Sequence, residues 1–332
     1  MRWAACLLAL VLCTACKRAE APTGPSAPRG CDAPFAVGFR VVRFGGLNVG
    51  VWYPSSDREA AFDYAQNTPG SAARDGAINR CGRFPLVVFS HGFGGCGIQS
   101  VFITEELARG GYIVAAPDHQ DALCSVNGNS ALRLIETDQS FLTPETWNDR
   151  SSVDRRFDLD RTISGMQQSA EFGAQLSGRV GAIGHSLGGY AVIGMAGGWA
   201  SWKDDRISAV LALSPFVAPF VVQNRLGAMQ VAVMYQGAQF DLGITPTLRG
   251  DGGAFAASNR PKYYVELFLG NHFIWTNAEC GGKTPADCVR SDGTARLIND
   301  YSTAFLDRYL KSDAGPMSRL SGFGLAAYNA AP

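Results

Sequence analysis

An excess of charge of either sign is missing from this chain. Its 332 residues carry 29 Lys and Arg against 29 Asp and Glu, a formal net charge of zero. That balance offers no electrostatic ground for binding nucleic acid and no polybasic surface for acidic lipids. No Lys- or Arg-rich cluster is present to hold a polyphosphate, and no internal repeat breaks the chain into units. Long apolar runs are missing too: the only candidate, Ala4 to Leu12, is too short to span a bilayer as a helix. Histidine is the scarcest resource, with four in the chain: His91, His119, His185 and His272. Any chemistry that needs an imidazole has few ways to obtain it.

The N-terminus, "MRWAACLLALVLCTAC", has Arg2, then the short apolar run, then the small residues Thr14 and Ala15 before Cys16. This order reads as an export signal over residues 1–15. Its ending resembles a bacterial lipoprotein signal with Cys16 as the lipidated residue, although Cys13 stands where leucine is usual; the alternative is a plain secretory signal cut near Ala15. Residues 16–30, rich in Pro, Ala and Gly, read as a flexible tether. The expected location is the bacterial cell envelope, or otherwise the periplasm or the medium. A lipid on Cys16 is the one expected link to a membrane, and the sequence leaves the oligomeric state open.

Export changes the reading of cysteine. Nine are present, and three belong to the leader; Cys31, Cys81, Cys96, Cys124, Cys280 and Cys288 remain. An even number in an oxidising compartment points to disulfides. These six contain no C-x-x-C pair and no usual Cys–His spacing, so a zinc site lacks support. Cys280 and Cys288 are close in sequence, just past His272, and form the leading candidate pair. Cys96 with Cys124 is a second, which leaves Cys31 with Cys81.

From residue 31 the chain reads as one catalytic domain, 31–332. "FRVVRF" and "LNVGVWYP", separated by Gly45-Gly46, read as an antiparallel pair, and Ser55 to Arg83 as a long surface loop. "FPLVVFS" and "YIVAAPD" are continuous apolar runs of the kind found in strands buried on both faces, and "QSVFITEELARGG" between them is helical. Strand, helix, strand implies a right-handed parallel crossover. Residues 124–161 read as an insertion placed over a site. The helix "LDRTISGMQQSAEF" follows, then strands "VGAIGHS", "ISAVLALS", "VAVMYQG" and "KYYVELFL", and the last helix, "TARLINDYSTAFLDRYLKS".

Within "VGAIGHSLGGYAVIGMA", Gly184-His185-Ser186-Leu187-Gly188 fits G-x-S-x-G between a buried strand and a helix. That is the context a nucleophile elbow requires: the serine sits on a sharp turn, glycines remove clashing side chains, and the helix N-terminus presents unpaired N–H groups to a developing oxyanion. "FSHGFGG" after an earlier strand presents a second donor, so the backbone N–H groups of Phe93 and Leu187 are the expected pair. An ordinary serine needs a base, and the base follows the nucleophile in this chain order. Only His272, in "LGNHFIWT", lies after Ser186. The expected acid is Asp241, in the loop "QGAQFDLGITP" just past a strand; Asp204, Asp205, Asp251 and Glu266 are less well placed. His91 and His185 read as loop-bracing groups. His119 lines a pocket or forms surface hydrogen bonds.

"VWYP", "SHGFGG", "LARGGYIVAAPDHQD", "GHSLGG", the Asp241 loop and "NHF" together resemble the α/β-hydrolases, over most of residues 35 to 312. Within them the chain is similar to the platelet-activating-factor acetylhydrolase and dienelactone-hydrolase-like group, and in its elbow, acid loop and cysteines near the histidine to bacterial cutinases and polyester hydrolases. True dienelactone hydrolases use a cysteine nucleophile, from which Ser186 departs. The resemblance implies a mostly parallel central sheet with helices on both faces and a serine hydrolase with no cofactor and no metal. It acts on a small-molecule or polymeric ester. The expected activity is hydrolysis of short- to medium-chain carboxylic esters through an acyl-enzyme, with Phe141, Leu142 and Trp147 as an apolar wall over the elbow. Alternatives are a phospholipid or polyester hydrolase, an acyltransferase, and a non-catalytic surface-binding module.

Overall fold

The apolar runs become the middle of a sheet. A computed structural model of the chain describes residues 33–65, 68–128, 139–318 and 320–332. The export signal, the tether, Cys16 and Cys31 fall outside the described residues, as does part of the expected insertion. Strands β5 (Phe84–Ser90), β6 (Ile113–Pro117), β7 (Leu176–His185), β8 (Ile207–Leu213), β9 (Ala232–Ala238) and β10 (Lys262–Leu267) run parallel. Every residue of β5 and β6 is buried, because helices cover both faces of the sheet.

Strands β1 (Ala36–Phe44) and β2 (Leu47–Ser55) form the expected antiparallel pair, and β2 joins the parallel strands through antiparallel pairing with β6. The turn between them is made by Gly45 and Gly46, both at positive φ. The full order is β11-β10-β9-β8-β7-β5-β6-β2-β1-β4-β3.

Three additions correct the sequence reading. Ser55 to Arg83 is not one long loop: it holds strands β3 (Ala60–Tyr64) and β4 (Thr68–Arg74), with β4 parallel to β1. Their composition is poor in β-branched residues, and distant partners hold them. Tyr64 accepts from the Trp52 indole and donates to Glu105, and Glu105 also accepts from the Ser71 N–H. At the other edge β11 (Leu325–Ala331), mostly small residues, pairs antiparallel with β10. The helix before β7 begins earlier than its apolar spacing indicates, because polar and basic residues of its first turns face inward.

Helices fill the two layers. On one face lie α2 (Val153–Gln168) and α3 (Leu187–Ile193), on the other α1 (Val101–Arg109) and α8 (Gly293–Leu306). Short helices α4 (Ala218–Val222), α5 (Thr245–Leu248) and α6 (Ala254–Ala257) follow β8 and β9, α7 (Pro285–Ser291) precedes α8, and α9 (Gly315–Ser318) precedes β11. Strand alternation divides the core: Leu86 and Val88 of β5 face α2 and α3, whereas Val87 and Phe89 face α1 and α8. Each such fully buried side chain contributes about 1.5–3 kcal/mol. The parallel strands all present their C-terminal ends to one edge, where ligands bind in open α/β sheets. Among the described residues no helix is long and apolar enough to cross a membrane.

Candidate active site

Ser186 stands between β7 and α3 with φ 54° and ψ −118°, a strained combination for a residue with a side chain. The flanking glycines are required by backbone, not by flexibility. A Cβ on Gly184 would lie 2.1 Å from the Gly188 carbonyl oxygen, and one on Gly188 would lie 2.0 Å from that of Ser90. The turn therefore packs directly on the end of β5 and raises the hydroxyl above the sheet edge.

His272 and Asp241 meet it from the ends of β10 and β9. Ser186 donates to His272 Nε2 at 3.0 Å, and His272 Nδ1–H donates to Asp241 Oδ2 at 2.8 Å. The Asp241 loop and the histidine loop are tied together by the Phe240 N–H donating to the Gly270 carbonyl at 2.8 Å. Burial pushes the Asp241 carboxyl up, but hydrogen bonds from His272 and Ser214 outweigh it and hold it below its ordinary range. The other acids considered lie elsewhere: Asp204 pairs with Arg206, Asp205 with Lys203, and Glu266 with Arg249.

The N–H groups of the 92–95 loop, where the sequence places the oxyanion donor, are sorted by their neighbours. Gly92 N–H donates to Gln99 Oε1 at 2.9 Å, Gly94 N–H to Asp121 Oδ2 at 3.2 Å and Gly95 N–H to the Gly92 carbonyl at 3.0 Å. Among the described residues no protein acceptor takes the Phe93 N–H, nor that of Leu187 at the start of α3. These two groups are the ones left available to an incoming oxygen.

The remaining histidines have partners. His185 Nε2–H donates to the His272 carbonyl at 2.9 Å, and its Nδ1 accepts from Gln99 Nε2–H at 3.1 Å. Burial, then the nearby charge of His272, lowers His185 to about 3, so it stays neutral. A line of hydrogen bonds thus runs from Gly92 through Gln99 and His185 to His272. His91 donates from Nδ1 to the Gly92 carbonyl at 2.7 Å and accepts from the His119 N–H at 3.0 Å. His119 is wholly buried rather than on the surface, donating to Asp158 and accepting from Ser90.

Arg155 of α2 lies under the same loop, buried, donating to the His91 carbonyl at 2.6 Å and to both oxygens of Asp121. Burial raises Asp121, but the guanidinium outweighs it and holds the carboxyl at about 2. Ser214, Gln99 and Arg155 are the contributors that sequence reasoning missed. Ser214 ends a strand next to the elbow, a positional signal; the other two carry none, since each reaches its partner only in the folded chain.

Of the expected insertion, residues 124–128 and 139–161 are described; 153–161 belong to α2, and 139–152 lies beside the elbow helix. Trp147 is buried against Tyr190 and Phe216, with ring centroids 5.0 and 4.7 Å away. Phe141 bridges Phe93 and Phe216, at 5.7 and 5.0 Å. Leu142 points to solvent, 91% exposed, and takes no part in that wall.

The structure pairs Cys96 with Cys124 and Cys280 with Cys288, at Cα separations of 5.4 and 5.1 Å. The first holds the end of the 92–95 loop to the segment after β6; the second closes the turn behind the His272 loop. The pairing of Cys81 with Cys31 lies outside the described residues. Among those residues no group of three or more His, Cys, Asp or Glu is arranged to hold a metal ion.

Residues 61–133 match the family model described as platelet-activating factor acetylhydrolase, isoform II. That span runs from β3 past β6 and carries Phe93, but not Ser186, Asp241 or His272. No curated protein matches the chain significantly. With its mostly parallel sheet, its helices on both faces and this match, the chain has the α/β-hydrolase fold and is similar to the platelet-activating factor acetylhydrolase family.

Proposed function

We propose that the protein is a serine carboxylic ester hydrolase that works through an acyl-enzyme. The observation that carries this reading is the continuous line Ser186 Oγ–His272–Asp241, at 3.0 and 2.8 Å, on a strained elbow. Ser186 Oγ attacks the ester carbonyl as its proton passes to His272 Nε2. Asp241 holds the imidazole in the correct tautomer and stabilises its charged form. The Phe93 and Leu187 N–H groups take the negative charge that develops on the carbonyl oxygen. His272 then returns the proton to the leaving alcohol. In the second half the same imidazole takes a proton from water as the water oxygen attacks the acyl carbonyl, and it gives that proton to Ser186 Oγ as the bond between Oγ and the acyl carbon breaks and the acid leaves.

The aromatic side chains Phe93, Phe141 and Phe216 beside the elbow support a short or medium acyl chain held against them. A second reading has its own observation. Phe240, Leu242, Phe268, Leu269 and Phe273, on the acid and histidine loops, are all more than half exposed. An apolar rim of this kind favours esters presented on an apolar surface, such as phospholipids or polyesters. The deciding experiment is a panel of esters graded by acyl length, assayed with wild type and Ser186→Ala and repeated with added alcohols. Activity falling with acyl length and abolished in Ser186→Ala supports the first reading. A steady rise toward long-chain or particulate esters supports the second. Transfer to alcohol in preference to water marks an acyltransferase, and no turnover of any ester marks a binding module.

A further inference from the structure

Ser214 directly follows β8 and stands between the acid and the base. It is fully buried, and its φ of 40° lies where glycine is favoured. Its N–H donates to the Gln236 carbonyl at 2.7 Å, which fixes it against β9. Its hydroxyl donates to Asp241 Oδ2, the same oxygen that accepts from His272 Nδ1–H. Ser214 Oγ also lies 2.9 Å from His272 Nδ1, so an oxygen lone pair faces that N–H. Glycine alone would satisfy the backbone; the hydroxyl is an addition to it.

We propose that Ser214 is a positioning residue for the Asp241–His272 pair: its O–H draws charge from Asp241 Oδ2, and its lone pair helps fix the imidazole so that Nε2 faces Ser186. This rests on the ester-hydrolase reading. Ser214 touches no reacting atom. In acylation the Ser186 proton moves to His272 Nε2 while the Oγ–C bond forms and the carbonyl electron pair moves to oxygen. Nδ1 keeps its proton toward Asp241, and Ser214 keeps its own. The titratable groups facing the pair are His185, at the end of β7, with its ring centroid 4.9 Å from that of His272, and beyond it His91; burial keeps both neutral.

The test uses Ser214→Ala and Ser214→Gly, with kcat and KM for a soluble ester measured across pH. Without the hydroxyl, more charge remains on Oδ2 and the imidazolium is favoured. The acidic limb of kcat/KM then moves to higher pH, by roughly half a unit or more in both variants. At the plateau kcat falls about three- to thirtyfold, with KM little changed. The His272 Nδ1 proton, followed by NMR in the free protein, shifts in both.

A merely structural role predicts otherwise. Glycine tolerates the positive φ and alanine does not, so the two variants would diverge, with the acidic limb and the Nδ1 resonance unmoved. That outcome overturns the proposal, and either variant alone suffices if the other fails to fold. Ser186→Ala separates the two readings. If it is inert while the Ser214 variants keep the wild-type profile, the Ser214 proposal fails and the hydrolase reading stands. If it remains active, the hydrolase reading fails, and the Nδ1 resonance alone decides whether Ser214 acts on the pair.

Discussion

In the proposed mechanism Ser186 and His272 act as one unit, so removing either should cost nearly everything. Ser186→Ala and His272→Ala are expected to lower kcat by about a millionfold each, and the double variant no further. Asp241→Asn should fall less, because Ser214 still engages the mutated side chain. Steady-state kinetics on folded variants checks this, and additive losses in the double variant would count against a shared mechanism. Gly188→Ala should be as harmful through the backbone, since its Cβ has no room beneath the elbow; circular dichroism and activity should fail together. Ser186 and His272 are legible in the sequence because a motif on a strand-to-helix turn and the scarcity of histidine constrain them. Asp241 needed a choice among acids that only spatial proximity decides. Arg155 and Gln99 were illegible, since a buried arginine and a bridging amide look like ordinary surface residues until their partners, far apart in sequence, come together.

Among the elements, the β3–β4 hairpin depends on α1 through Glu105. That carboxyl accepts from Tyr64 and from the Ser71 N–H, and burial raises it from 4.5 to about 8. Between those values the folded chain holds a proton that the unfolded chain has released, so stability falls as pH rises through that window and levels off above it. Glu105→Gln keeps the accepting oxygen and removes the titration. The urea midpoint of the variant should lose this decline between pH 4.5 and 8, and an unchanged slope would refute the assignment. The same dependence explains why the hairpin was read as a loop: its stabilising partners lie across the sheet, not along the strand. The buried parallel strands were legible because burial on both faces writes an unbroken apolar run. Behind the histidine loop, opening Cys280–Cys288 by a double serine substitution should lower stability by about 2 kcal/mol, read from the thermal midpoint. Peptide mapping that finds both thiols free in exported protein would remove the basis for this expectation.

For the molecule as a whole, the two disulfides are compatible with an exported protein. The sequence expectation of a lipoprotein signal predicts that the mature chain begins at Cys16, and that Cys16→Ser releases soluble protein or blocks processing. Detergent-phase partition measures it; wild type found wholly in the aqueous phase would rule out the lipid. The fold class was legible at this scale from the order of strands and helices alone. The edge strand β11 was not, because alanine and asparagine carry no strand signal and only the exposed edge of β10 recruits them.

The hydrogen bonds linking Gly92, Gln99, His185 and His272 also bear on how such a protein changes over generations. They tie the 92–95 loop to the main chain of His272, and replacing the side chain of Gln99 or His185 would break that tie. The aromatic residues Phe93, Phe141 and Phe240 carry no such obligation through their side chains. On the proposed function, variation there would alter which ester is accepted while the reaction itself is inherited intact.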